Sequence, residues 1–360
     1  MVSRSHVGLP GDDLLRHHVT SAVRLEVLDP RHDAEPTYWR ALRARAGLRA
    51  DWDYGLIRIA AWCSRVPLLV TILHGGESVL GLVCASWTGL PARRHGFVAR
   101  SGWPWAGVLD VKSPGTSAVP GWWFADGLRD CDRRELVDAY RTGMRRELGT
   151  GCRGVLWRQV GHENLPDFAQ GPRLVRPTPA VAMLELPWAE PSAWLSTVKK
   201  DRRKSLRRRR RQIDLDPDLQ VTVGRQVGLD ASEVTQLLRH NERAHDRGRR
   251  SPLPQSTSYV EALLRHQEVT TIDYRDGWGK LLAFASILDH PSWSVGRHWS
   301  TLPASLGGRK HLYFDMYLRQ IEWGIHAGKS GLNLGKGMLE IKAELGATML
   351  PQFGVAQPVL

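Results

Sequence analysis

The chain has 360 residues, 42% of them apolar and 24% charged, and a formal net charge of +13. That length exceeds what one hydrophobic core usually organises, so two domains are expected, and no run approaches the roughly 18 continuous apolar residues of a membrane span. The charge is concentrated: Lys199–Arg211 holds ten basic residues against Asp201 alone, which leaves a net of +4 for everything else.

Residues 1–20 mix basic and acidic side chains without the apolar core of a secretory signal. They read as a flexible lead-in to a cytoplasmic protein with reduced thiols. Cys63, Cys84, Cys131 and Cys152 make no close pair of the metal-knuckle or redox kind. No metal is expected, because His240 and His245 lack a third ligand at matching spacing.

The first half then offers a strand candidate, Ser21–Asp29, and helical stretches around Tyr38–Gly47 and Tyr54–Val66. Two apolar runs follow, flanking His74-Gly75-Gly76-Glu77, where glycine supplies the positive φ of a hairpin turn. A helix ending near Gly149 and a short strand complete this half. The tryptophans of SGWPWAG and PGWWFADG suit either aromatic loops for a flat or sugar-like acceptor or packing between lobes.

The second half repeats that order. VAMLELPW is a strand candidate, followed by the basic stretch, a helical SYVEALLRHQ and a second hairpin about Asp276-Gly277. Phe314, Tyr317, Leu318, Ile321 and Ile325 then fall on one face of a helix. Gly328 suits a left-handed cap behind it. The repeat predicts a mixed α/β protein of two tandem lobes, each a central mixed sheet flanked by helices. The first lobe is expected over 21–188 and the second over 189–360, with the boundary near Pro187–Pro191.

A basic helix is predicted over 194–213. Leu195, Val198, Leu206 and Ile213 lie within about 80° of one another at 100° per residue, so a narrow stripe packs while the cations fan outward. Lys199, Lys200, Arg202, Arg203, Lys204, Arg207, Arg208, Arg210 and Arg211 are the candidates for holding RNA, since arginine favours bidentate phosphate contacts. The plain alternative is a solvated charged face.

In the strand Trp293–Ser300, alternation places Trp293, Val295, Arg297 and Trp299 on one face and Ser294, Gly296, His298 and Ser300 on the other. His298 then stands among small residues, as a general base facing a cleft would, or as a histidine bonded to backbone. Arg297 and Trp299 are substrate-binding candidates. Asn241, Glu242, His245, Asp246 and Arg247 either line an acceptor site or belong to a loop.

The tail from Tyr313 through GLNLGKG to Glu340-Ile-Lys342-Ala-Glu-Leu-Gly346, and the stretch WLSTVKKDRRKSLRRRRRQ, resemble the second lobe of FemABX-like tandem-GNAT transferases. The resemblance covers roughly residues 30 to 356 and is best after residue 190. It implies two GNAT lobes and transfer of an activated acyl group to an amine, with aminoacyl-tRNA as donor in the Fem-type branch and acyl-CoA in others. It also implies that Lys342 stabilises an oxyanion or holds a tRNA phosphate. Lys336, between Gly335 and Gly337, is a second such candidate. Tyr313, Asn333 and Glu340 join the substrate-binding candidates, and Glu340 pairs with Lys342 if this stretch is extended.

One departure bears on the donor. CoA-dependent GNAT enzymes cradle pyrophosphate with an Arg/Gln-x-x-Gly-x-Gly/Ala loop, whereas the second lobe reads LPASLGGRK and the first GWWFADGLRDCD. The expectation is therefore a monomeric aminoacyltransferase. It would use aminoacyl-tRNA as co-substrate, need no other cofactor, and form an amide on a small-molecule or peptidoglycan-like amine. An acyl-CoA-dependent N-acyltransferase and a non-catalytic RNA-binding scaffold are the alternatives.

Overall fold

A computed structural model describes residues 23–64, 66–89, 106–225, 228–244 and 256–359. The first run of elements is β1 (Arg24–Leu28), α1 (Trp39–Arg45), α2 (Tyr54–Cys63), β2 (Leu68–Gly75), β3 (Ser78–Gly89), β4 (Gly107–Val111), β5 (Trp122–Phe124), α3 (Asp130–Leu148), β6 (Cys152–Gly161) and β7 (Leu174–Glu185). The second is α4 (Pro191–Thr197), α5 (Lys200–Asp214), β8 (Leu219–Gly224), α6 (Ala231–Ala244), α7 (Thr257–Arg265), β9 (Val269–Asp276), β10 (Leu281–Leu288), β11 (Trp293–Thr301), α8 (Leu312–His326), β12 (Gly331–Gly335), α9 (Leu339–Glu344) and β13 (Thr348–Pro358).

All strands join one sheet in the order β1-β2-β3-β4-β6-β13-β7-β12-β11-β10-β9-β8, with β5 on β3. Neighbours are antiparallel except β4 with β6 and β11 with β12, which are parallel and each linked through a helix, α3 or α8. The internal repeat is thus a repeat of topology. The hairpins fall where glycine allows them: Gly76 has φ 62° between β2 and β3, and Gly279 has φ 82° between β9 and β10. The last strand, β13, lies between β6 and β7 and knits the two halves of the sheet.

On β13, Met349, Phe353 and Val355 alternate onto one sheet face, where α3 covers the first lobe and α4, α5 and α8 cover the second. The opposite face carries α1 and α2 in the first lobe and α6 and α7 in the second. There the lobes meet. Leu56 and Ala60 of α2 pack with Tyr259 and Leu263 of α7. Arg43 holds Glu268 bidentately at 2.6 and 2.8 Å, and Arg49 donates to Trp293 O at 2.5 and 3.1 Å.

Helix α8 buries Tyr317, Leu318, Ile321 and Ile325, as their spacing predicts, and Gly328 follows it at φ 64°. Phe314 instead lies half-buried beneath Arg202 and Arg209. The basic stretch is not one helix from 194 to 213. It breaks at Val198 and Lys199, which are extended. The hydroxyls of Ser196 and Thr197 donate back to Ala193 O and Trp194 O, closing α4, and Asp201 starts α5 where a carboxylate suits the helix dipole. The packed stripe survives the break, with Val198, Leu206 and Ile213 buried and Leu195 against them. His245, Asp246 and Arg247, and the first part of SGWPWAG, lie outside the described residues.

Candidate active site

β11 and β12 pair at only three positions, Trp293 with Gly331, Ser294 with Leu332 and Val295 with Asn333. Beyond these, β11 continues to Thr301 on β10 while β12 stops at Gly335, so the strands part at their carboxyl ends. That opening is where parallel sheets bind ligands. Its floor requires glycine twice: a Cβ on Gly296 would stand 2.9 Å from Gln320 Nε2, and Gly335 holds φ 76°. Gln320 of α8 is buried there with its Nε2 unpartnered.

Lys342 is the second feature of the opening. It is 2% exposed, and its Nζ donates to Gly335 O at 3.0 Å and to Lys336 O at 3.1 Å. The Tyr317 ring lies 6.0 Å away. No carboxylate compensates its charge among the described residues, and burial pulls its pKa down to about 8. The glycine-flanked turn shapes this clamp, with Gly335, Gly337 and Met338 all at positive φ. Residues 339–344 are helical, not extended, so Glu340 points elsewhere and is exposed. A helix separates i and i+2 by about 200°, which rules out the Glu340–Lys342 pair.

A β-bulge changes the faces of β11. Ser286 opposes His298 and Ile287 opposes Gly296, so Arg297 is the extra residue. Strict alternation is broken there. Arg297 and His298 both turn to the face of α6 and α7, Arg297 towards Tyr259 and Asp51, and His298 towards Ser286. Trp299 turns to the α8 face, beside Tyr274 and Tyr313. His298 Nδ1 lies 2.8 Å from Ser286 Oγ, while its buried Nε2 has no partner among the described residues. Burial first, and then Arg297, hold its pKa well below the ordinary histidine value, so the ring is neutral.

The third feature is cationic. Helix α5 packs along α8, and Arg209 stacks 4.0 Å over Phe314 in the first turn of α8, with Nε and Nη1 unpartnered. Arg208, Arg209 and Lys310 crowd His311, which caps α8 at φ 73°; burial and these cations lower its pKa. Arg209 was not singled out by the sequence. The cations of α5 divide in two. Arg210 is spent on Asp214, Asp315 and Glu322, Arg202 on Glu344, and Arg203 donates to Ser196 O. Lys199, Lys200, Lys204, Arg207, Arg208 and Arg211 are exposed and meet no carboxylate among the described residues. Arg210 is therefore a packing residue: with Arg319 and Tyr274 it surrounds the fully buried Asp315.

Other predicted residues are occupied structurally. Asn333 donates to Ala118 O across the lobes and accepts from Gly335 N, and Tyr313 shares a 2.9 Å hydroxyl contact with Tyr317. Asn241 donates to Trp299 O. Lys336 is half-buried near Arg158 of the first lobe. The corresponding helix start in the first lobe is closed to anions, because Asp132 folds back onto the Arg129 N–H and its guanidinium and Asp130 stands beside it. Missed by the sequence were Gln320 and Asp51, polar residues buried by tertiary contacts that no local spacing announces.

No family model matches the sequence, and no curated protein matches it. Among solved structures, the chain is similar to L-PGS from Bacillus licheniformis, with TM-score 0.58 and 11% identity over 89% of this chain and 91% of that one. It is similar to the C-terminal domain of a putative lysylphosphatidylglycerol synthetase from Agrobacterium fabrum, with TM-score 0.57 and 15% identity over 88% and 90%. FemX matches with TM-score 0.54 and 9% identity over 91% and 96%. At these identities the likeness is one of fold: the chain has the tandem-GNAT, FemABX-like fold.

Proposed function

Taking that fold as premise, we propose that the chain is an acyltransferase which moves an aminoacyl group from an aminoacyl-tRNA to an amine. The observation that carries the reading is the set of six exposed cations on α5 and its N-cap Lys199 that meet no carboxylate among the described residues, leading to Arg209, Lys310 and His311 at the mouth of the β11–β12 opening. Ten like charges on so short a stretch repel one another, and a polyanion relieves that repulsion. The acceptor amine attacks the ester carbonyl of the charged tRNA, a C–N bond forms, and the C–O bond to the ribose oxygen breaks. Lys342, charged at neutral pH, faces the oxyanion of the tetrahedral intermediate. Neutral His298 or water takes the proton that the amine loses. Positioning supplies the remainder, since the ester is already activated.

Filter binding of labelled tRNA over a salt series tests the donor. Tight binding whose logarithm falls steeply with log salt is expected, and binding as weak as that of an uncharged polymer would reject it. The start of α8 beside Arg208 and Arg209 also suits a pyrophosphate, which favours acyl-CoA as the second reading. Calorimetric titration with CoA separates the two, because the tRNA reading predicts no micromolar binding.

A further inference from the structure

The sheet face between the lobes carries a second polar group that donor binding and transfer leave unused. It crosses five neighbouring strands in order: Asp110 on β4, Arg158 on β6, Gln352 on β13, Thr178 on β7 and Lys336 just past β12. Gln352 opposes Thr178, two residues along β13 and, across a bulge, three along β7 from the Leu350–Val181 pair, and Val181 packs against Ala118 and Val295 on the interlobe face. Lys112 follows β4 with its Nζ 3.8 Å from Asp110 Oδ2, and Arg158 donates to Asp110 Oδ1.

The charges in this row do not balance. Lys112, Arg158 and Lys336 face one carboxylate, Asp110, and Lys336 meets none among the described residues. Burial lowers both lysines, and Arg158 repels each of them, which agrees with the three sharing one space. Beside them Gln159 Oε1, Gln352 Oε1 and Thr178 Oγ1 are buried without a hydrogen-bond partner among the described residues, and the two glutamines are 8% and 7% exposed. Gln159 also holds φ 57° at a bulge in β6, a conformation that costs energy in a residue with a Cβ. Surplus cations ask for an anion, and unpaired oxygen acceptors ask for an N–H or O–H donor.

We propose that this row binds the acceptor, and that the acceptor is a small molecule carrying a phosphate or carboxylate within a few atoms of its amine. Its anion sits among Lys112, Arg158 and Lys336, and its amine donates to the glutamine and threonine oxygens. Lys336 links the two sites, since its carbonyl holds Lys342 Nζ at 3.1 Å. Calling the ligand an acceptor rests on the transfer reading above, but the anion site does not.

Calorimetry on the full chain without RNA tests it, with phosphoethanolamine for the phosphate, β-alanine for the carboxylate and ethanolamine as the amine lacking an anion. One of the two anionic amines is expected to bind while ethanolamine stays silent, and which one binds identifies the anion. Lys336→Met and Arg158→Gln should each weaken that binding at least tenfold, while Arg209→Gln, on the donor side, leaves it unchanged. Lys336 makes no hydrogen bond through its side chain among the described residues, and equal melting temperatures would show that the fold persists. Silence from both anionic amines would overturn the proposal, as would binding that survives Lys336→Met or is lost in Arg209→Gln. Because no tRNA is present, a failure of the donor reading leaves this result standing.

Discussion

Lys342→Met is the perturbation whose outcome separates a functional lysine from a structural one. Burial moves its pKa from 10.5 to about 8, and each unit is worth about 1.4 kcal/mol, so keeping this ammonium charged in the folded chain costs about 3 kcal/mol. Methionine has similar length and no charge. It forfeits the bonds to Gly335 O and Lys336 O, at about 1 kcal/mol each. The balance leaves the variant as stable as the parent or about 1 kcal/mol more so. Urea unfolding of the two proteins measures this, alongside single-turnover transfer, where loss of an oxyanion donor lowers the rate about 100- to 1000-fold. A loss of 2 kcal/mol or more in stability would instead show that Lys342 is a structural clamp for the glycine turn.

The same burial gives stability a pH dependence. The folded state releases the Lys342 proton near pH 8 and the unfolded chain near 10.5, so stability rises between those values. The rise should be smaller in urea titrations of Lys342→Met, where Lys112 and Lys336, also lowered by burial, keep their share. His298 is neutral when folded, whereas an unfolded histidine protonates near 6.5. Stability is therefore lost as pH falls below 6.5, and less of it is lost in His298→Gln. Replacing Arg207, Arg208 and Arg211 together by Gln should reduce the salt slope of tRNA binding by about 3, one per phosphate contact. Its melting temperature should not change, because none of the three meets a carboxylate among the described residues. Asp315→Ala strands Arg210, Arg319 and Tyr274 around a buried void and should cost about 3 kcal/mol in urea unfolding.

The sequence showed what depends on near neighbours. The paired hairpins, the apolar stripe of α8 and the left-handed Gly328 follow from period and turn chemistry, and the repeat they form is that of the sheet. Lys342 was singled out through resemblance and Lys336 through the glycines at 335 and 337, both of which hold positive φ in the turn. What was not visible depends on distant partners. β13 finds its place between β6 and β7 only through pairing across some 200 residues of chain. The bulge at Arg297 is fixed by β10, so alternation alone put His298 and Arg297 on opposite faces. Charge along α5 likewise could not distinguish Arg210, which three carboxylates claim, from Arg208, which none does.

Transfer itself is tested most directly by incubating the purified chain with total tRNA charged with labelled amino acids and with a small-molecule extract as acceptor. Label is expected to leave the tRNA for a low-molecular-weight, base-stable product, and ribonuclease treatment of the tRNA beforehand or Lys342→Met is expected to abolish it. Label that stays on the tRNA, together with a ribonuclease-insensitive product formed from an acyl-CoA, would contradict the transfer reading.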